Sequence, residues 1–330
     1  MLDLARLERL KLVRRPFSQR FFGRFLGGNY RWFPGIELIF EDDDRIPDRP
    51  VIFAMNHTDR YNYFPFQYKL WKRFDRFTAT WVKGKYYENR AVGFFMERMN
   101  NIPTVSRGYL ITRDFLATLG RRPSDVEYAA LRAWVDAVSR GEDVDAPPEA
   151  PRPILERPRD LLGMRFHPQR TSYARAIDAL FCRMMERFVE LNDEASELGL
   201  DILIFPQGTR SKRLSKGRVG LSQIAMHLGR AVVPVGCNGS DRIYPGSSPF
   251  AKAGRIVYRI GEPIRRADAA AWVERGGFVP FTKEAERDHS AAFETYIDAV
   301  MVAIDSLLDA EYRFGDDEGE SRVVGSDRFV

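Results

Sequence analysis

The apolar positions of this chain fall into two periods, and the change from one to the other marks out its elements. Short, nearly continuous apolar runs at 36–40, 51–55, 201–205, 231–235 and 255–260 have the length and β-branched content of strands buried on both faces, as in parallel sheets. Between them the spacing becomes helical. Ile177, Leu180, Phe181, Met184 and Phe188 recur at intervals of one turn, which predicts a long helix over 172–198 with Gly199 as its stop. Further helices are expected over 220–228 and 283–312. Strand, helix and strand alternate from residue 172 onward, so the predicted class is α/β, with a central, mostly parallel sheet flanked by helices.

The first half is less regular. Residues 60–100 are rich in aromatics and read as helical in part, and a short strand at 102–105 then leads to Arg107. Ser124 and Glu127 have the spacing of a capping box that opens a helix reaching Val138. Pro147, Pro148, Pro151, Pro153 and Pro158 follow in an acidic linker. Residues 108–170 therefore read as an insertion, either a lid, a membrane contact, a tether or a partner site, within a main domain over 31–312. The acidic end, 313–330, is expected to be loose. At the start, Leu2, Leu4, Leu7, Leu10, Phe17, Phe21 and Phe25 lie among seven basic residues, and Pro16 divides two short helices. Such a basic amphipathic segment over 1–30 either meets a lipid headgroup boundary or packs on its own domain.

Charge narrows the partners. A formal net charge of +5 favours anions, and both nucleic acid and an anionic phospholipid surface fit that sign. No nucleic-acid motif accompanies the charge, so no nucleic-acid partner is expected. No run approaches the ~20 apolar residues of a spanning helix, and the scattered N-terminal charges are unlike a signal peptide. The expected location is peripheral, on the cytoplasmic face of a membrane. Cys182 and Cys237 have neither metal-ligand nor disulfide-scaffold spacing and read as buried apolar side chains in a reducing compartment.

Three segments could carry chemistry. Asn56-His57 leaves a buried strand and runs on through Thr58, Asp59, Arg60, Tyr61 and Asn62; α/β proteins gather their sites at such strand ends. In Phe205-Pro206-Gln207-Gly208-Thr209-Arg210-Ser211 a strand stops and presents parts that suit a phosphate: a glycine for close backbone approach, a hydroxyl, and a guanidinium able to pair bidentately. In Asn101-Ile102-Pro103-Thr104-Val105-Ser106-Arg107 a short strand again runs to an arginine. Taken singly, each also reads as plain structure: a packed histidine, a strand-to-loop turn, a surface arginine.

In this order the three segments, with Val233-Pro234-Val235 after them, resemble the glycerolipid acyltransferase family, the lysophosphatidic acid and glycerol-3-phosphate acyltransferases. That family carries Asn-His-x-x-x-x-Asp after a strand, an apolar strand ending in Arg, then Phe-Pro-Glu-Gly-Thr-Arg-Ser and Val-Pro-Val. The resemblance covers residues 36–264 apart from the insertion. It implies an O-acyltransferase that moves a fatty acyl group from acyl-CoA or acyl carrier protein to the hydroxyl of a lysophospholipid or glycerol 3-phosphate, with no cofactor or metal beyond that donor. It implies His57 as general base, oriented by residue 62, and Asn56, Arg107, Gln207, Gly208, Thr209 and Arg210 as the acceptor's binding residues. Two positions depart from the pattern: the family Asp is Asn62 here and the family Glu is Gln207. Asn62 accepts a hydrogen bond from an imidazole but brings no charge to an imidazolium, and Asp59 in the same loop is a possible substitute. The alternative these departures raise is an inactive relative that binds phospholipid or an acyl carrier.

Overall fold

The computed structural model describes residues 1–32, 35–315 and 325–329. Its strands are β1 (Ile36–Glu41), β2 (Ile52–Met55), β3 (Thr78–Lys83), β4 (Asn101–Thr104), β5 (Arg159–Leu161), β6 (Met164–Phe166), β7 (Asp201–Ile204), β8 (Val232–Asn238) and β9 (Gly254–Ile260). The helices are α1 (Leu4–Arg9), α2 (Phe17–Arg31), α3 (Tyr63–Phe74), α4 (Arg90–Arg98), α5 (Arg107–Leu119), α6 (Asp125–Ser139), α7 (Arg152–Glu156), α8 (Tyr173–Glu197), α9 (Gly220–Leu228), α10 (Ser240–Ile243) and α11 (Lys283–Ser306). Seven strands form one sheet in the order β1-β9-β8-β2-β7-β3-β4. Neighbours pair in parallel except β8 with β9, so β8, β2, β7, β3 and β4 share one direction and their carboxyl ends lie along one edge.

Side-chain alternation explains why helices cover both faces of this sheet. Ile52 and Ala54 of β2, Ile202 and Ile204 of β7 and Val232 of β8 enter one core with residues of α1, α5, α6, α8, α9 and α11. Phe53, Met55, Leu203, Val233 and Val235 enter the other, with residues of α2 and α3. At the amino ends of the strands, Asp201 is buried and accepts from Val51 N at 2.9 Å and from Arg76 Nε at 2.8 Å. Burial pushes its carboxyl upward and the Arg76 guanidinium opposes that; the pair ties the start of β7 to the segment before β3, and the Val51 bond ties it to the segment before β2.

Four features differ from the sequence reading. The stretch 60–100, expected to be helical in part, holds α3 and α4 but also the unexpected strand β3. The N-terminal segment does not act as one amphipathic unit: Leu2, Leu4, Leu7 and Leu10 are buried in the core, while Phe17, Phe21 and Phe25 of α2 are exposed. Cys182 is half-buried, unlike the buried Cys237. Of the tail, 316–324 and 330 lie outside the described residues, and Phe329 packs near Tyr109 and Tyr128, with ring centroids 6.4 and 6.3 Å away, so 325–329 are not loose.

The 108–170 stretch joins the main core through Leu110, Phe115, Leu131, Trp134, Ile154 and Phe166. Its helix α6 opens with the capping box: Ser124 Oγ accepts from Glu127 N at 3.2 Å, and Ser124 N donates to Glu127 Oε2 at 2.7 Å. Arg121 pairs with that glutamate and holds its carboxyl down at about 2. Replacing Ser124 with Ala is expected to lower stability by about 1 kcal/mol, read as a shift of the urea midpoint with unchanged slope. No shift would mean that Glu127 and solvent alone satisfy the helix start.

Candidate active site

Parallel pairing of β2 with β7 places two loops distant in sequence side by side. His57, two residues beyond β2, donates its backbone N–H to Oε1 of Gln207 at 3.0 Å, and its carbonyl accepts from Ser211 N at 2.9 Å. Gln207 Nε2 donates to Ser211 Oγ at 2.8 Å and to the Arg213 carbonyl at 3.2 Å. One buried amide thus holds the 206–213 loop closed and fastens it to the His57 backbone. Gly208 has a φ of 71°, the left-handed region that a side chain disfavours, and Thr209 and Arg210 after it are half-buried. On the other flank Asn56 Oδ1 accepts from Cys237 N at 2.7 Å and its Nδ2 donates to the Cys237 carbonyl at 2.9 Å, pinning the end of β2 to β8.

The His57 ring stacks on Phe205, with centroids 4.0 Å apart and planes 21° from parallel. Its Nδ1 is completely buried and has no hydrogen-bond partner. Asn62, the residue heading α3, turns its side chain inward instead of capping the helix. Its Nδ2 donates to the Asn56 carbonyl at 2.9 Å. A carbonyl can only accept, so the amide orientation is fixed and Oδ1 is left as the acceptor. That Oδ1 is also buried without a partner of good geometry, yet the Asn62 side chain acts as a hydrogen-bond partner of His57. A bond from Nδ1–H to that Oδ1 is the arrangement that leaves the lone pair on Nε2. Tyr258 secures Asn62 from behind, its hydroxyl donating to the Asn62 carbonyl at 2.6 Å.

Electrostatics keep this imidazole neutral. Although the residue as a whole is half-buried, burial of the ring is the largest cause that lowers its pKa, and Arg210 lowers it further. Asn62 opposes both, Lys83 adds to the lowering, and the result is about 3. His57 is therefore an uncharged proton acceptor in a cationic surrounding.

The structure sorts the predicted residues into two groups. Asn62 and Arg210 both act on His57, and Gly208 and Thr209 precede Arg210 in the same loop. Asn56 and Gln207 were expected to bind acceptor, but both are only 2% exposed and spend their amides on the main chain or Ser211, so they build the site without facing it. Arg107 opens α5 rather than ending a strand, and its Nε donates to Asp178 at 2.8 Å. Asp59 does not stand in for a carboxylate at position 62: its oxygens accept from Tyr61 N and Thr58 Oγ at 2.8 and 3.0 Å, and it is absent from the groups that shift His57. Two contributors were not read from the sequence: Lys83 at the end of β3, and Phe205 as the ring under His57. Among the described residues, no group of three or more His, Cys, Asp or Glu is placed to hold a metal ion.

No protein-family model matches the chain, and no curated protein matches it. Among solved structures it is similar to the crystal structure of the 1-acyl-sn-glycerophosphate (LPA) acyltransferase PlsC from Thermotoga maritima, at 17% identity over 92% of this chain and 85% of that one, with a TM-score of 0.41.

Proposed function

We propose that this chain is an O-acyltransferase that moves a fatty acyl group from a thioester, acyl-CoA or acyl carrier protein, to the hydroxyl of a phosphate-bearing glycerolipid such as 1-acylglycerol-3-phosphate. The observation that carries this reading is a neutral His57, acted on by Asn62, Arg210 and Lys83, whose backbone is bonded to Gln207 and Ser211 of the 206–213 loop. In the proposed reaction Nε2 removes the proton of the acceptor hydroxyl as the oxygen attacks the thioester carbonyl. The tetrahedral intermediate then expels the thiolate, which takes the proton from the His57 imidazolium. No acyl-enzyme forms. Holding the acceptor's phosphate beside Thr209 and Arg210 fixes the hydroxyl near Nε2, and positioning of that kind is worth up to about 7–11 kcal/mol of barrier. The bound phosphate also offsets the cations that depress His57, so acceptor binding makes the base stronger.

A peripheral site on the cytoplasmic membrane face is part of the same proposal. Phe17, Phe21 and Phe25 stand one turn apart on α2 and are each more than half exposed. Phe25 meets Phe250 at 5.8 Å and Phe22 meets Phe95 at 4.7 Å, so three segments supply one aromatic surface. Arg14, Arg24, Arg31 and Arg98 are exposed around it, a composition suited to an anionic headgroup layer. No described helix is long and apolar enough to cross a membrane.

The test is transfer of labelled acyl groups to lysophosphatidate and glycerol 3-phosphate on anionic vesicles. Turnover with at least one acceptor, together with vesicle binding weakened about tenfold in Phe17→Ser/Phe21→Ser, is the expected outcome. Binding of acyl donor and lysolipid without turnover on either acceptor would favour the second reading, an inactive lipid- or carrier-binding relative, which the uncharged Asn62 motivates.

A further inference from the structure

The ring of Phe205 lies face to face with that of His57. Their centroids are 4.0 Å apart and their planes 21° from parallel, so the imidazole rests on the π face of the phenyl ring and not on its edge. Phe205 is the residue after β7, and it is fixed on two sides. Its carbonyl accepts from Gly208 N at 3.0 Å. Tyr63, buried at the start of α3, meets its ring edge-on, with centroids 6.3 Å apart and planes 68° from parallel, and Tyr63 packs in turn on Phe64 at 4.4 Å.

The proposed reaction turns this imidazole into a cation once Nε2 takes the acceptor's proton. Among the described residues, the charged groups that act on the ring are themselves cations, Arg210 and Lys83. Asn62 brings no charge, and the Asp59 carboxylate accepts from Tyr61 N and Thr58 Oγ. The face of a phenyl ring carries the negative part of its quadrupole and attracts a cation within about 6 Å of the centroid, more strongly where water is excluded. At 4.0 Å Phe205 is inside that range, and the ring it faces is buried.

We infer that Phe205 supplies part of the stabilisation a carboxylate at position 62 would give: its π face sets the plane of the His57 ring and attracts the imidazolium that forms during acyl transfer. Phe205 is thus a positioning residue that acts through His57. The inference rests on the acyltransferase reading for the step that forms the imidazolium, but the ring contact bears on any proton that His57 takes. A phenyl ring also shields His57 from water, and the two effects have opposite signs: shielding disfavours the imidazolium, whereas the π face favours it. Fluorination separates them, because it reverses the quadrupole of the ring with little change in its size.

The test replaces Phe205 with pentafluorophenylalanine in the full chain, alone and together with Asn62→Asp, whose carboxylate lifts the imidazole titration by about 1–3 pH units into a range where it is readily followed. Imidazole NMR records the titration, with the His57 signal assigned by its loss in His57→Gln. The fluorinated ring is expected to lower the His57 pKa by about 0.4–1.5 and kcat by about 2- to 30-fold, with KM unchanged. An unchanged or raised pKa overturns the inference. Should the fluorinated chain fold poorly, Phe205→Leu carries the test: a lowered His57 pKa supports the π contact, and an unchanged or raised one, as when water reaches a ring that Phe205 only shielded, rejects it. A chain in which the titration moves as expected yet no acyl group is transferred would refute the acyltransferase reading and leave the stack standing. Full turnover with an unmoved titration would refute the stack alone.

Discussion

Replacing His57 with alanine or glutamine is expected to reduce acyl transfer by about 10²- to 10⁴-fold, the range lost when a positioned general base is removed. Binding of donor and acceptor should change little, because Arg210 and the loop held by Gln207 remain. The effect therefore belongs in kcat rather than in KM. The same substitution has a signature in stability. The folded pKa of His57, about 3, lies below its ordinary value of 6.5. Between those two values the unfolded chain binds a proton at this residue that the folded chain excludes. His57 thus leaves stability untouched above pH 6.5, and as pH falls toward 3 it removes up to about 1.4 kcal/mol for each pH unit. His57→Gln should flatten that part of the acid limb in urea unfolding measured from pH 7 to pH 4. Full turnover in His57→Ala would remove the mechanism, whereas an unaltered acid limb in His57→Gln would show that the imidazole is solvated after all.

Much of this site was legible because its segments end strands, and strand ends are marked by where apolar runs stop. The runs at 51–55 and 201–205 became β2 and β7, and the residues after them meet because the two strands pair in parallel. The direction of each side chain was not legible. Gln207 and Asn56 have the chemistry of ligand-binding groups, and only the closed loop and the β2–β8 junction reveal that their amides are consumed internally. Strand β3 escaped for a related reason. Thr78 and Thr80 are fully buried, but their polarity is satisfied by Gln67 Nε2 at 2.6 and 3.1 Å, and Gln19 Nε2 donates to the Thr78 carbonyl at 2.7 Å. A buried strand lined with hydrogen-bonded threonines lacks the apolar pattern by which strands are recognised. Missing β3 also hid Lys83, which that strand delivers to the edge beside His57. Arg107 has its carboxylate partner 71 residues away, a pairing that no local spacing encodes.

Restoring a carboxylate with Asn62→Asp should separate geometry from charge. In serine proteases, exchanging the aspartate beside the catalytic histidine for asparagine lowers turnover about 10⁴-fold, largely because the wrong tautomer results. Here the Asn56 carbonyl fixes Asn62 Nδ2 at 2.9 Å, so Oδ1 is the atom left to accept from an imidazole N–H, which favours the productive tautomer and lacks only the charge. An opposite charge at hydrogen-bond distance raises a pKa by about 1–3 units. Starting from about 3, that brings His57 nearer to working pH and strengthens it as a base, and turnover is expected to rise on the order of 10²-fold. The change also breaks the bond from Nδ2 to Asn56 and buries a charge, so stability should fall by about 1–3 kcal/mol. The rate still increases as pH rises through the His57 pKa, but the midpoint of that rise moves upward in the variant. Imidazole NMR titration alongside the pH–rate profile measures both shifts. A variant in which the imidazole pKa rises while turnover stays flat would mean that proton removal by His57 does not limit the reaction, and one in which neither changes would mean that Asn62 and His57 are not in contact.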